Sequence, residues 1–230
     1  MSLPHSGDAS ADGFILAGGR SSRMGRDKAL VNVAGKPLIQ HALDILRCAS
    51  LKPRIAGSTS DLSAFAPTLP DDPAQSGVAQ TGLGPLAGIC SALKSGSSQY
   101  AVFLPVDLPL MPESLIRYLL YRTEVTESAI AVVSVAGFIQ TFPVAIHRGA
   151  LPALQTSLCS IDRNCLRAFR AAADALCRPF AIQPVELLIQ SGQVCDPRGL
   201  PPADWFLNVN SPRDLTRAES LLGHKHHQVS

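Results

Sequence analysis

The segment from residue 14 to residue 28 constrains this chain most. It begins with an apolar run, Phe14–Ala17, that is short enough to be a buried strand, and Gly18 and Gly19 end this run. In an open α/β sheet ligands bind beyond the carboxyl ends of the strands, and glycines there let backbone N–H groups approach a ligand closely. The nine residues that follow contain four cations, which favour a polyanion. These cations are Arg20, Arg23, Arg26 and Lys28. The segment therefore predicts a phosphate-binding loop after a first strand; a solvated basic loop with turn glycines is the alternative.

The loop has neither of the two common phosphate-binding patterns. It lacks the P-loop spacing of glycines before a Gly-Lys-Ser/Thr sequence, and it lacks the dinucleotide fingerprint G-x-G-x-x-G. Its residues instead resemble the L-A-G-G-x-S-x-R-M-G-x-D-K signature of the nucleotidyltransferase superfamily. Within that superfamily they look most like the molybdenum cofactor guanylyltransferases, the MobA-like family. Every fixed position of the signature is filled from Leu16 to Lys28.

The resemblance implies a fold, an activity and a set of partners. The fold would be a three-layer, Rossmann-like α/β nucleotidyltransferase fold, with a mainly parallel sheet flanked by helices. The activity would be the Mg²⁺-dependent transfer of GMP from GTP to molybdopterin, with release of pyrophosphate. GTP and molybdopterin would be the small-molecule substrates, and transient contacts with cofactor-delivery proteins or molybdoenzymes are a further expectation.

Composition predicts a soluble globular protein. The 230 residues are 46% hydrophobic and 17% charged, which suits one packed domain over residues 13–222 between a flexible leader (1–12) and a flexible tail (223–230). The net charge of +2 gives no pull toward nucleic acid or a membrane surface, so neither is an expected partner. Without a signal peptide or a long apolar run, the expected location is the cytoplasm. The six cysteines show no metal-binding spacing and are expected to be reduced, mostly buried thiols.

Strand-like and helix-like segments alternate along the chain, which is typical of a parallel sheet flanked by helices. The predicted strands are Phe14–Ala17, Lys52–Gly57, Tyr100–Val106, Ile130–Val135, Phe142–Ile146 and Trp205–Leu207. One predicted helix starts at Pro37. The others cover Leu86–Lys94, Pro112–Arg122, Ala150–Ser157, Cys165–Ala175 and Pro212–Leu222. Residues 58–84 are expected to be irregular because of their prolines and glycines, and the pattern does not assign residues 178–203.

Asp107 is a second candidate functional feature, after the basic loop. It follows the most apolar predicted strand and directly precedes Leu108-Pro109, where the chain leaves the sheet. A divalent cation is one way to stabilise a buried carboxylate, and Mg²⁺ usually takes one or two carboxylates together with substrate phosphate oxygens. A turn or helix-capping aspartate is the alternative. In the resembled family an aspartate at this strand end holds the Mg²⁺.

Two further motifs resemble family features that line the pocket. Gly84–Gly88 (G-P-L-A-G) places Pro85 and Leu86 at a helix N-terminus, where free N–H groups attract anions, although a plain helix start would look the same. Asn208 and Asn210 stand two residues apart on an extended stretch, so both side chains should point to one side. Asn210 is predicted near the metal. Ser211, before Pro212, is predicted to be only a helix cap.

Three weaker assignments concern the substrates. Asp71 or Asp72 matches an acidic residue that the family uses at guanine, but this loop aligns poorly. Arg163, Asn164 and Arg167 would meet an anionic pterin phosphate, with ordinary surface arginines as the equal alternative. Phe142-Pro143-Val144 resembles a segment near the second substrate.

The predicted catalysis consists of positioning and charge neutralisation rather than a protein nucleophile. Lys28 and Arg23, with Mg²⁺ on Asp107, would neutralise the phosphates, while backbone groups of 16–19 hold the nucleotide. Gly18-Gly19 and Asp27-Lys28 favour guanine over cytosine, because cytidylyl relatives tend to carry Ala-Ala-Gly. The alternatives are a nucleotidyltransferase that uses CTP or another phosphate acceptor, and a nucleotide- or cofactor-binding protein without activity. The region 159–203 is longer than in compact relatives, so the acceptor is less certain than the nucleotide.

Overall fold

Strands and helices alternate along the part of the chain that the computed structural model describes, namely residues 11–18, 27–57, 62–69, 84–159 and 164–223. The strands are β1 (Ala11–Leu16), β2 (Asn32–Val33), β3 (Lys36–Pro37), β4 (Pro53–Ala56), β5 (Thr68–Leu69), β6 (Tyr100–Pro105), β7 (Ile130–Val135), β8 (Phe138–His147) and β9 (Phe180–Pro184). The helices are α1 (Leu38–Cys48), α2 (Pro85–Ser95), α3 (Glu113–Val125), α4 (Leu151–Leu158), α5 (Cys165–Ala175), α6 (Val185–Gln190), α7 (Pro202–Trp205) and α8 (Pro212–Gly223). Short 3₁₀ helices cover Lys28–Leu30 and Arg148–Ala150.

The main sheet has seven strands in the order β5-β4-β1-β6-β8-β7-β9. All neighbours pair in parallel except that β8 runs antiparallel to both β6 and β7. The mainly parallel α/β sheet predicted from the alternation of elements is therefore confirmed.

The order of the strands creates a crevice at the carboxyl end of β1. After β1 the chain forms β4 and then β5 on one side, and it returns to form β6 on the other side of β1. Leu16, the last residue of β1, is in register with Ala56 of β4 and Pro105 of β6. Ligands of open α/β sheets bind where strand order reverses in this way. The loops after β1 and β6 are consequently the first place to look for a site.

Helices cover both faces of the sheet. Alternation along β1 sends Ile15 into the core beneath α1 and α3, whereas Phe14 and Leu16 enter the core beneath α2, α4 and α5. All three of these side chains are buried. The result is the predicted three-layer arrangement, with one apolar core on each face of the sheet.

The first strand begins at Ala11, three residues before the predicted start at Phe14 and inside the stretch 1–12 that was expected to be a flexible leader. Asp12, near the amino-terminal end of β1, is compatible with this start because its carboxylate is fully hydrogen-bonded. It accepts hydrogen bonds from the backbone N–H groups of Ser97 and Ser98, both at 3.0 Å, and from Arg54 at 3.1 Å. A polar residue that looks unsuited to a strand thus anchors its start.

Two other expectations are wrong. Trp205–Leu207 is not a strand: Trp205 ends α7, and its indole N–H donates to the carbonyl of Leu200 at 2.9 Å. Consecutive prolines at 201 and 202 favour this helical turn, because proline suits the first helical position. Residues 178–203, which the sequence pattern does not assign, contain β9, α6 and the first two residues of α7. The cysteines are all free, but only Cys90 is buried, and burial raises the pKa of its thiol to about 12.

Within the described residues, no helix combines the length and the apolar character that crossing a membrane requires.

The position of His147 predicts a dependence of stability on pH. Its Nδ1 atom accepts a hydrogen bond from the Gly149 N–H at 3.0 Å, and burial together with the nearby charge of Arg178 lowers the pKa of the imidazole below 6.5. The neutral ring therefore contributes stability that is present above pH 6.5 and is lost as the pH falls through the lower folded-state pKa. We expect the free energy of unfolding, measured with urea between pH 7.5 and 5.5, to fall less in His147→Asn, whose amide oxygen keeps the acceptor. An equal decrease in the free energy of unfolding of the wild type and of His147→Asn would contradict this role of the neutral imidazole.

Candidate functional site

Three side chains from distant parts of the sequence meet at the carboxyl edge of the sheet. The Lys28 Nζ atom donates to Asp107 Oδ2 at 2.6 Å and also donates to Asn210 Oδ1. The Lys28 and Asp107 side chains are 18% and 19% exposed, so the ion pair is mostly buried but still reached by solvent. The fold thus brings together Lys28 and Asp107, two residues predicted from the sequence to act on the same phosphates.

Asp27 holds Lys28 in this position. Its carboxylate Oδ1 accepts a hydrogen bond from the Ala29 N–H at 2.9 Å and so caps the short helix that starts at Lys28. Ala29 is fully buried and fixes the helix to the core. The aspartate of the Asp27-Lys28 pair therefore has a structural role that the sequence pattern alone did not reveal.

The backbone beyond β6 fixes Asp107 against two other segments. The Val106 N–H donates to the Leu16 carbonyl at 3.1 Å, which extends the pairing with β1 past the end of the strand. The Asp107 carbonyl in turn accepts from the Val209 N–H at 3.0 Å. The carboxylate therefore stands between the end of β1 and the segment that carries the two asparagines.

The asparagine segment is extended and anchored from its inner face. Val209 is fully buried, whereas Asn208 and Asn210 on either side of it are exposed, as the predicted alternation requires. The Ser211 hydroxyl donates to the Asp214 carboxylate at 2.8 Å and accepts from the Asp214 N–H, so its predicted capping role is confirmed. The Ser211 hydroxyl and the Asn210 N–H, which also donates to this carboxylate, lower the pKa of Asp214.

The donor atoms at this site suit a divalent cation. Asp107 Oδ1 is buried and accepts no hydrogen bond from any residue that the structure describes. A buried carboxylate oxygen without a partner is costly, and a cation would satisfy it. No cluster of three or more His, Cys, Asp or Glu occurs in the described ranges, so the set here is one carboxylate and one amide oxygen. Mg²⁺ commonly binds such a sparse set because substrate phosphates and water complete its shell.

The first turn of the loop after β1 packs tightly against the end of β4. The Ala17 N–H donates to the Ala56 carbonyl at 3.0 Å, and the Leu16 carbonyl accepts from the Val106 N–H just beyond β6. A Cβ atom on Gly18 would lie 2.3 Å from the Gly57 carbonyl oxygen. Gly18 is thus required by the close approach of two loops. We expect the remaining backbone groups of this turn to be the ones that contact a nucleotide.

This close approach gives a prediction for Gly18→Ala. The added methyl group has to displace backbone rather than a flexible side chain, so we expect the free energy of unfolding to fall by about 1–3 kcal/mol, as for other overpacked sites. Urea unfolding at pH 7 measures it. Gly223→Ala is the matched control, because a Cβ at Gly223 meets nothing within 4 Å. Equal stability of Gly18→Ala and the wild type would show that the two loops can separate freely.

The G-P-L-A-G motif lies at the same edge of the sheet. Gly84 precedes α2 with φ at +80°, a conformation that favours glycine, and Pro85 is the first residue of the helix. A Cβ on Gly88, one turn later, would contact Leu16 at 3.4 Å and Gly57 at 3.7 Å. Gly84 and Pro85 are exposed, but Leu86 is 1% exposed and packs in the core beneath α2. The side chain of Leu86 therefore supports the helix, and any substrate contact would come from its backbone.

Several predicted residues are not placed by the structure. Gly19, Arg23, Asp71, Asp72 and Arg163 lie outside the described residues. Asn164 accepts a hydrogen bond from the Arg167 N–H at 3.1 Å and caps α5. Capping α5 is by itself a sufficient reason for an asparagine at this position, so no contact with a pterin phosphate is needed to explain it.

Similarity to known proteins extends over most of the chain. Residues 13–176 match the MobA-like NTP transferase domain. The molybdenum cofactor guanylyltransferase of Rhizobium meliloti (strain 1021) is 31% identical over 224 residues, which cover 90% of each chain. The protein of the same name from Rhodobacter capsulatus is 31% identical over 221 residues, which cover 91% of this chain and 95% of that one.

Solved structures share the fold at lower identity. Molybdopterin-guanine dinucleotide biosynthesis protein A from Archaeoglobus fulgidus superposes with a TM-score of 0.70 at 20% identity, covering 92% of this chain and 98% of that one. The 2-C-methyl-D-erythritol 4-phosphate cytidylyltransferase of Thermus thermophilus superposes with a TM-score of 0.59 at 16% identity, covering 91% and 97%. The fold alone therefore does not distinguish guanylyl from cytidylyl transfer. Together with the Leu16–Lys28 signature and the residues around Asp107, the match over residues 13–176 establishes that this chain belongs to the MobA-like NTP transferase family.

Proposed function

We propose that this protein transfers GMP from GTP to molybdopterin in a Mg²⁺-dependent reaction that releases pyrophosphate and forms the guanine dinucleotide cofactor. The observation that carries the proposal is the meeting of Lys28, Asp107 and Asn210 at the carboxyl edge of β1 and β6. A cationic donor beside a carboxylate and an amide oxygen suits a metal-bound polyphosphate. The names of the two bacterial relatives that are 31% identical support the same activity.

The proposed reaction needs no nucleophile from the protein. A phosphate oxygen of molybdopterin attacks the α-phosphorus of GTP, the bond from that phosphorus to the α,β-bridging oxygen breaks, and pyrophosphate leaves with the electron pair. Both substrates are anionic at the reacting centre, so they repel each other until cations lie between them. Catalysis then consists of holding the two phosphates in line and neutralising the charge that develops.

Each residue of the site has a defined part in that task. The Lys28 ammonium donates hydrogen bonds to phosphate oxygens, and Asp27 keeps the lysine at the pocket by capping its helix. Asp107 and Asn210 would hold Mg²⁺, with the buried Oδ1 of Asp107 as the oxygen that gains a partner. When bound, the cation supplies neutralisation of the phosphate charge and orientation of the triphosphate. Gly18 lets the turn after β1 pack against the end of β4, and the remaining backbone groups of that turn would contact the nucleotide.

The choice of GTP and of the pterin depends on the resemblance and on the relatives rather than on the geometry. Gly18 and the Asp27-Lys28 pair match the guanylyl signature at the residues that the structure describes. CTP, or another phosphate acceptor, would use the same cations and the same carboxylate. The nucleotide is therefore the first property to test.

Thermal unfolding with nucleotides tests the proposed donor substrate. We expect GTP with Mg²⁺ to raise the melting temperature more than CTP, ATP or UTP at equal concentration. A ligand present at a hundred times its Kd adds about 2.7 kcal/mol to the free energy of unfolding. Asp107→Asn is the matched variant, and it should lose most of the Mg²⁺-dependent part of the shift. A larger response to CTP would replace the guanylyl proposal with a cytidylyl one.

A further inference from the structure

We propose that Lys28 keeps divalent cations away from Asp107 and Asn210 until a nucleoside triphosphate binds. This inference rests on the proposed function, because it concerns the metal and the nucleotide of that same site. In the nucleotide-free protein the lysine would hold Asn210 Oδ1 and lie beside the oxygen of Asp107 that is proposed to bind the cation. The triphosphate would then draw the ammonium away and bring the metal with it.

The contacts of Lys28 are the reason for this proposal. Its ammonium group binds the two side chains that are proposed to ligate the metal, Asp107 through Oδ2 at 2.6 Å and Asn210 through Oδ1. The lysine therefore already satisfies the Asn210 oxygen that a cation would need, and it lies on the carboxylate whose Oδ1 would be the other ligand. An ammonium group and a divalent cation repel each other, so Lys28 opposes a metal on Oδ1 of the same carboxylate and competes with it for Asn210 Oδ1.

Partial burial strengthens the repulsion between the Lys28 ammonium and a divalent cation. The Lys28 and Asp107 side chains are each less than one-fifth exposed, so water and salt screen their charges less than at an open surface. Asp107 Oδ1 lies within the same carboxylate and remains without a hydrogen-bond partner among the described residues. The carboxylate thus keeps one oxygen for a metal, while the ammonium on its other oxygen opposes the binding of that metal.

A triphosphate can reverse this arrangement. The lysine side chain is long and flexible, and its three donors can exchange a carboxylate for phosphate oxygens with little movement of the backbone. Asp27 caps the helix from its N-terminal end and so keeps the Lys28 backbone fixed while the side chain moves. Binding of the nucleotide and of the metal would therefore be coupled, each increasing the affinity for the other.

The test measures Mn²⁺ binding to the full protein without nucleotide, by electron paramagnetic resonance of the free ion. Wild-type protein is compared with Lys28→Met and Lys28→Gln, which remove the charge and retain most of the chain length. We expect both variants to bind Mn²⁺ at least tenfold more tightly than the wild type, a change of about 1.4 kcal/mol. The double variant Lys28→Met/Asp107→Asn should return to weak binding. Lys36→Met, which removes an exposed lysine that pairs with Asp44 at 3.1 Å, should match the wild type.

A second measurement separates this inference from the proposed function. With GTP present and its own chelation of Mn²⁺ subtracted, wild-type affinity for Mn²⁺ should rise more than that of Lys28→Met. If neither Lys28 variant binds Mn²⁺ more tightly than the wild type in the absence of GTP, the inference is wrong, even where GTP still promotes binding through Asp107. If Mn²⁺ fails to bind through Asp107 both with and without GTP, the proposed metal site fails, and the inference fails with it.

Discussion

Asp107→Asn is expected to lower the rate of guanylyl transfer by about 10²–10³, the usual cost of losing one aimed electrostatic group at such a site. The amide keeps the size of the side chain but loses the negative charge that pairs with Lys28 and would hold the cation. Pyrophosphate release under saturating GTP, Mg²⁺ and pterin measures the effect. Lys28→Ala should fall by a similar factor, because the same phosphates lose their cationic donor.

A surface aspartate supplies the control for this result. Asp44 of α1 also pairs with a lysine, Lys36 of β3, but this pair is exposed. Asp44→Asn should therefore leave transfer within about twofold of the wild type, since exposed ion pairs contribute little. Near-normal turnover of Asp107→Asn, with Asp44→Asn equally active, would remove the carboxylate from the site.

Trp205→Ala is expected to lower the free energy of unfolding by about 3–5 kcal/mol, the range for truncating a large buried aromatic side chain. Trp205 is 1% exposed and packs in the same core as Val209, the buried residue between the two asparagines. Its indole N–H also donates to the Leu200 carbonyl, which would lose this partner. Urea unfolding at pH 7 provides the measurement.

Trp205→Phe separates packing from the hydrogen bond. Phenylalanine keeps much of the buried apolar volume, so we expect a loss of about 1–3 kcal/mol, from the unpaired carbonyl and a smaller cavity. The alanine variant should also weaken Mg²⁺-dependent GTP binding, because the asparagine segment loses its inner support. If Trp205→Ala costs less than 1 kcal/mol, this tryptophan does not hold the segment.

Local sequence patterns were sufficient to predict the central strands β1 and β6. The apolar runs of β1 and β6 and the polar residues that follow them predicted two adjacent strand ends. Parallel strands deliver such residues to one edge, and so the contact between Lys28 and Asp107 could be expected although 79 positions separate them. The glycines at 18 and 84 also fall where close approach and backbone conformation need them.

Other features depend on contacts that no local pattern encodes. Asn210 is 182 positions from Lys28, and only the family resemblance suggested its place near the metal. Tryptophan is common in strands, and this led to the wrong prediction at Trp205. The two prolines before it and the hydrogen bond from its indole N–H to the Leu200 carbonyl stabilise a helical turn instead. Two-residue β5 was missed because so short a strand exists only through its pairing with β4. The roles of Asp12 and Asp27 were likewise invisible, since each depends on the N–H groups that a folded chain presents to it.

The decisive measurement is pyrophosphate release on mixing the protein with GTP, Mg²⁺ and molybdenum-loaded molybdopterin. We expect release that requires all three components, that is much slower with CTP, and that nearly disappears in Asp107→Asn. Release that proceeds equally well without a divalent cation, or an unchanged rate in that variant, would contradict a metal-bound triphosphate at the meeting point of Lys28, Asp107 and Asn210.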